Sequence, residues 1–465
     1  MVEFPHCSHA GYFLAMHYLV LRLHPQLEFP YNQVMKQRFY KPWIRLLSCT
    51  LLLLLCFALL AGCSDAPVES NEEVLTDQGT AVSPAMTAST ETIPPDRVSD
   101  IEAKSIDTLL SGQAFAILFV NVGKADAAIL RFGETTVLID TGSAESAPQL
   151  LAGLNTLGVT KIDAVFITHS HSDHLGGLTA LSANYDIPMV YSPFYSEADK
   201  NGVGKIVKRL EKLHLPHKEL QTGDVVPVTG DVSFTVLGPL SLNEADDNDN
   251  SLVLRFSCSG KTFLFTGDMQ FAEEQAIIDS DATLKSDVLK VGNHGNPDAT
   301  GDDFGTLVAP DFAVISTDTT VDTDSANPRV YAALPNATIK VTQDFSIGVL
   351  LTLDESDAIL LQNPANESVA SALVVQALDV PSQTITLTNS GIAPADLSGM
   401  ILFSVQSDAT LRFPEGTQLG AGESLVIGAS EDFSFKGEDK PLNKKKTNTV
   451  LLFDRFGTLV SQLEQ

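Results

Sequence analysis

Three imidazoles and one carboxylate fall within six residues of the segment Thr168-His169-Ser170-His171-Ser172-Asp173-His174-Leu175-Gly176-Gly177. Imidazole nitrogen and carboxylate oxygen are the donors that zinc and similar divalent cations take from proteins. The apolar run Ala164 to Thr168 before the cluster reads as a short buried strand. A turn after it directs His169 and His171 to one metal and lets Asp173 and His174 face a second. Two close cations lower the pKa of a water, orient it for attack and offset charge in the transition state. Asp173 is the candidate catalytic residue, as a ligand and as the carboxylate that orients the water. The chain holds no Gly-x-Ser-x-Gly elbow and no glycine-rich phosphate loop, so no separate nucleophile is needed.

Elements able to position these groups are legible on both sides. Ala114 to Val122 is apolar, and Ala127 to Arg131 with Thr135 to Ile139 flanks a hairpin turn at Phe132-Gly133-Glu134. Ser146 to Leu157 and Val203 to Leu213 have helical spacing, with Ser146 as an N-cap. Strands are expected at Ser233 to Leu237, Leu252 to Cys258, Thr262 to Thr266 and Asp287 to Val291, and a helix at Ala272 to Ile278. This alternation predicts a layered α/β domain over residues 111–362. A linker is expected at 363–372. Beyond it, short strands such as Met400 to Phe403 and Val450 to Phe453, parted by Gly and Pro turns, predict an all-β sandwich. The change of pattern suggests a module that folds by itself and is dispensable for small substrates.

The His-x-His-x-Asp-His motif resembles that of the metallo-β-lactamase superfamily. Asp140-Thr141-Gly142, Phe265-Thr266-Gly267-Asp268 and Leu289-Lys290-Val291-Gly292-Asn293-His294-Gly295 resemble its later motifs, in order. The resemblance implies an αββα sandwich, two divalent metals (zinc, or manganese), Asp268 bridging them and His294 completing the second site. Phe119-Val-Asn-Val-Gly123-Lys-Ala-Asp126 and Asp249-Asn250-Ser251 are similar to the hydrolase domain of ComEC-type competence proteins and their secreted relatives. That group includes DNA-degrading domains and phosphorylcholine esterases. Asn293 stands where the group has a histidine, and Asn121, Lys124 and Ala125 depart from its Asp-Val-Gly-Gln-Gly-Asp. The middle histidine of true β-lactamases is not evident. His214 and His217 read as surface residues, and Asn250 as a substitute donor near the metals. Residues 373–463 resemble a lamin-tail domain through Ile385-Thr-Leu-Thr-Asn389-Ser-Gly391, Leu419-Gly-Ala-Gly422 and Leu451-Leu-Phe-Asp454. This implies an immunoglobulin-like sandwich, which serves as a spacer or docks a polymer or envelope partner.

The sequence has 29 basic and 58 acidic side chains, a net charge of −29. Such a field opposes stable nucleic-acid complexes and anionic surfaces as a whole, so an anionic substrate must be held locally. Basic residues within Lys36 to Arg45, the apolar run Leu46 to Leu60 and the ending Leu60-Ala61-Gly62-Cys63 resemble a bacterial lipoprotein signal. Residues 1–62 read as the signal region, with translation starting at Met35. Cys63 is the expected lipidated residue, and 63–110 a flexible tether rich in Ser, Thr, Glu and Pro. An exported, membrane-anchored metal-dependent hydrolase of phosphodiesters follows. The competing readings are a carboxylic ester, lactone or β-lactam hydrolase, and a surface binding protein with a degenerate metal site.

Overall fold

The computed structural model describes residues 101–194, 203–230, 232–367, 371–428, 430–436, 438 and 440–465. The signal region, Cys63 and most of the expected tether lie outside these residues.

The strand Phe115–Val120 is buried on both faces. Phe115, Ile117 and Phe119 enter one apolar cluster, while Ala116, Leu118 and Val120 enter another. The two-residue side-chain period of a strand makes that partition, and a continuous apolar run marks a strand covered on both sides. It lies in a nine-stranded sheet, beside Ala128–Phe132 and Gly348–Leu353. A seven-stranded sheet faces it, with Lys261–Phe265, Val288–Lys290 and Phe312–Ile315 in parallel register. Phe234, Phe256, Phe263 and Phe265 of this second sheet meet Phe115, Phe119, Phe132 and Phe166 of the first.

Each sheet turns its other face to helices. Ala147–Thr156, Leu178–Asn184 and Val203–Lys212 cover the first. Phe271–Asp279, Asp302–Val308 and Pro328–Ala333 cover the second. The result is an αββα sandwich. Ser146 precedes the first helix, but its hydroxyl bonds within the Ser143–Ser146 turn instead of capping. Among the described residues no helix is long and apolar enough to cross a membrane.

Part of the expected tether is structured. Ala103–Lys104 pairs in parallel with Asn363 and Pro364, and Ile106–Leu110 is a helix that buries Ile106 and Leu109. The strand Ile359–Pro364 also carries the first domain into the expected linker.

The C-terminal region is all antiparallel. A three-stranded sheet (Leu373–Asp379, Thr384–Asn389, Ser424–Ile427) and a four-stranded one (Ala409–Arg412, Ile401–Ser404, Thr449–Phe453, Leu459–Glu464) enclose one apolar cluster. This module does not stand apart. Ile401, Phe403 and Phe453 belong to the cluster beneath the first sheet's helices, whereas Leu402 points into the module's own core. Asn155 on the first helix donates to the Gly399 carbonyl at 2.9 Å and accepts from the Arg412 guanidinium. Asn184 bonds Thr410 and the Arg412 backbone. The module thus keeps its own core and also packs one side against the first domain.

Removing a buried Phe side chain costs about 3–5 kcal/mol. Phe403→Ala should lower the urea midpoint of the first domain, and truncation after Glu367 should strip this cover and depress the melting temperature sharply. A truncated chain that melts with the full-length one would show that the two cores are separate.

Candidate metal centre

The site is assembled where strands of both sheets end. Asp140 follows Thr135–Ile139, and His169 follows Ala164–Phe166 by two residues. Asp268 follows Lys261–Phe265, and His294 follows Val288–Lys290. Carboxyl ends of parallel strands are where α/β sheets place ligands, because the turns there are free of the ladder. Gly177 permits the close packing of the motif on its neighbours, since a Cβ there would overlap the Thr141 carbonyl oxygen. Gly267, at φ +52°, keeps the Asp268 turn clear, since a Cβ would lie 2.7 Å from the Ser251 hydroxyl.

Two donor sets meet at Asp268. His169, His171 and Asp268 form one; Asp126, His174, Asp268 and His294 form the other. Asp268 Oδ2 lies 3.1 Å from His174 Nε2, 3.3 Å from His294 Nε2 and 3.7 Å from His169 Nε2. His169 Nε2 is 3.0 Å from His171 Nδ1. Donors bonded at about 2.1 Å to one tetrahedral ion lie roughly 3.4 Å apart, so these spacings suit shared cations. Four buried atoms, His174 Nε2, His294 Nε2, Asp268 Oδ1 and Asp126 Oδ1, have no hydrogen-bond partner. Buried polar atoms are nearly always paired, and a divalent cation would supply the missing partner here.

The outward ring nitrogens are fixed from behind. His174 Nδ1 lies 2.8 Å from Asp140 Oδ2, and His294 Nδ1 lies 2.8 Å from the Ser316 carbonyl. Each contact sets the tautomer that leaves Nε2 facing Asp268. The Thr168 amide and hydroxyl both donate to Asp140 at 2.7 Å. The Ser251 hydroxyl accepts the Asp268 amide at 2.9 Å and lies 3.4 Å from His169 Nδ1. Asp247 grips the residue between the first two histidines, accepting from the Ser170 amide and hydroxyl.

Burial disfavours charge on every member, and opposed charges overrule it at His174, His294 and Asp268 but not at His169. His174 rises well above its ordinary pKa through Asp268 and Asp140. Burial alone would lower His294, but Asp268 and Asp173 push it up to about 9. Burial would raise Asp268, yet His174 and His294 hold it well below the carboxylate range. Burial lowers His169, and the charge of His174 adds to that.

The structure thus brings together five of the six expected ligands in these sets. The sixth, Asp173, stands at the solvent side, with its Oδ2 3.4 Å from His294 Nε2 and 2.8 Å from Lys124 Nζ. Asp126 joins the donors although its role was not read from the sequence; its place at the end of the Gly123-Lys124-Ala125-Asp126 turn was the available signal. Lys290 donates to its Oδ2 at 2.8 Å. Asn250 is no donor to the centre, because its amide bonds Asn243 and Asp247. His214 and His217 are exposed and outside both sets. Asn293 donates to Asp298, so the asparagine there takes nothing from either set.

Fold and site together define a metal-binding αββα sandwich with two donor positions. Residues 120–319 match the family model of the Metallo-beta-lactamase superfamily. The chain is 31% identical to ComE operon protein 3 of Bacillus subtilis (strain 168) over 169 residues, 36% of this chain and 21% of that protein. It is 28% identical to Competence protein ComA of Neisseria gonorrhoeae over 205 residues, 43% of this chain and 27% of that protein. Exodeoxyribonuclease YycJ of Bacillus anthracis is 30% identical over 73 residues, 16% of this chain and 28% of that protein. The matches span only about a quarter of these relatives' lengths.

With a pKa of about 9, His294 carries a proton at neutral pH that coordination through Nε2 must displace. Zinc or manganese added to chelator-treated protein at pH 7 should therefore release protons. The apparent affinity should climb as pH rises towards about 9. Calorimetry in two buffers of different ionisation enthalpy reads this directly. Identical heats in both would mean that no proton leaves.

Proposed function

We propose that this chain is an exported, lipid-anchored phosphodiesterase that uses two divalent metals. The carrying observation is that two donor sets share one carboxylate, Asp268. Paired positions of this kind suit in-line displacement at phosphorus, where attacking and leaving oxygens both need charge beside them. The exodeoxyribonuclease among the relatives supports the same substrate class. When bound, the two cations supply a water of lowered pKa and positive charge against the anionic transition state.

The residues divide that work by position. His169 and His171 would hold one cation with Asp268, and Asp126, His174 and His294 would hold the other with the same carboxylate. The imidazole-rich first set suits zinc, and the second, richer in carboxylate, accepts manganese as well. Asp173 is the partly exposed acid of the centre. It would orient the attacking water as an ionised carboxylate, because His294, His174 and Lys124 beside it hold its carboxyl well below the ordinary range. Asp140, Thr168, Ser251 and Ser316 keep the ring nitrogens and Asp268 aimed, so the donors need no rearrangement during turnover. Retention of donors in both sets weighs against a degenerate binding protein.

The basic, apolar and Leu60-Ala-Gly-Cys63 order supports export and acylation at Cys63. The lamin-tail-like sequence of the C-terminal module supports docking to an envelope component or polymer beside its structural contact.

Asp173→Ala should reduce hydrolysis of bis-p-nitrophenyl phosphate by roughly a hundredfold or more, the scale of a misplaced attacking group. Full activity in that variant would sink the assignment. Faster turnover of nitrocefin or a simple carboxylic ester than of any diester would replace the substrate class. Cys63→Ser should move the protein from the membrane to the soluble fraction; unchanged partitioning would remove the anchor.

A further inference from the structure

The metal centre opens to solvent on one side. His169, His174, Asp268 and His294 are buried to within 2% of full enclosure. Asp173 and Lys124 retain 19% and 28% side-chain exposure. A substrate approaching the metals therefore meets this ion pair.

Lys124 is the cation available there. The other ammonium of the centre, Lys290, is 5% exposed and behind the donors. It is engaged with Asp126 Oδ2 at 2.8 Å and the Val291 carbonyl at 2.9 Å. Lys124 donates to Asp173 Oδ2 at 2.8 Å and shows no other hydrogen bond among the described residues. An ammonium has three N–H donors, so an incoming oxygen meets free ones without breaking the pair. The backbone holds it in place: the Ala125 amide closes a turn on the Gly123 carbonyl, and the Asp126 amide bonds the Asp173 carbonyl. One carboxylate oxygen separates Lys124 Nζ from the His294 donor.

The net charge of −29 makes this cation consequential. The chain as a whole repels an anion, so affinity for a phosphoryl group rests on charges at the centre itself. We infer that Lys124 is the substrate-anion clamp, binding a non-bridging phosphoryl oxygen at the mouth of the metal centre while Asp173 fixes its position. This rests on the phosphodiesterase reading and adds to it a residue that selects anionic substrates over neutral ones.

The test is inorganic phosphate binding to the metal-loaded protein, measured by calorimetry, with metal content checked for each variant. Loss of one charge-assisted hydrogen bond weakens binding about tenfold or more. Lys124→Gln should do this, blunt the salt dependence of binding, and raise KM for bis-p-nitrophenyl phosphate more than it lowers kcat. Lys124→Arg should restore most of the affinity, since it keeps the charge. The loss should persist when Lys124→Gln is combined with Asp173→Ala. A role confined to pairing with Asp173 would vanish in that background, and equal phosphate affinity with and without Lys124 there overturns the inference. Because phosphate binding is read without turnover, the clamp is judged even if the wild-type protein hydrolyses no diester, the outcome that defeats the phosphodiesterase reading instead.

Discussion

One carboxylate oxygen, Asp268 Oδ2, is the point on which the structure converges. Three imidazole nitrogens from two separate segments lie within 3.7 Å of it. A lone buried carboxylate would be driven to protonate. Here the surrounding imidazoles do the reverse, and the group stays ionised in the interior. The sandwich gives that oxygen its place. Parallel strands of the second sheet carry Asp268 and His294, strands of the first carry Asp140 and the His169 to His174 segment, and the phenylalanine layer between the sheets fixes their separation.

Backbone strain gathers in the same place. Asp140, Asn293 and His294 all adopt positive φ, at 59°, 42° and 54°. Residues with a Cβ resist that region, and surroundings that over-determine the geometry are what sustain it. Asp140 is held by two bonds from Thr168 and by the His174 ring, and His294 by the Ser316 carbonyl. The hydroxyl and carbonyl groups around the ligands thus serve the fold and the centre together.

Much of this was legible in the sequence because it repeats with a period or sits in a motif. The hairpin at Phe132-Gly133-Glu134 is legible from two strand-like runs flanking a glycine turn, and the observed pairing matches it. The ligands His169, His171, His174, Asp268 and His294 sit at strand ends that apolar runs announce. Asp126 lies in a turn with no periodicity, and its proximity to His294 depends on a fold that joins residues far apart in the chain. Asn250 was misplaced for the same reason: a local loop of Asn243 and Asp247 claims its amide. The packing of the module against the first domain had a signal that alternation arguments pass over. Ile401–Ser404 is buried along its whole length, and a half-exposed sandwich strand would alternate.

The short pairing of Ala103–Lys104 with Asn363 and Pro364 has a mechanical meaning. It joins the point where the chain enters the sandwich to the strand by which it leaves for the C-terminal module. Pulling on the N-terminal side loads this two-residue ladder at the outer edge of the nine-stranded sheet. The strand Ala164–Phe166 that leads to the His169 to His174 segment lies six positions further in, so a load applied at this edge would meet the short ladder first.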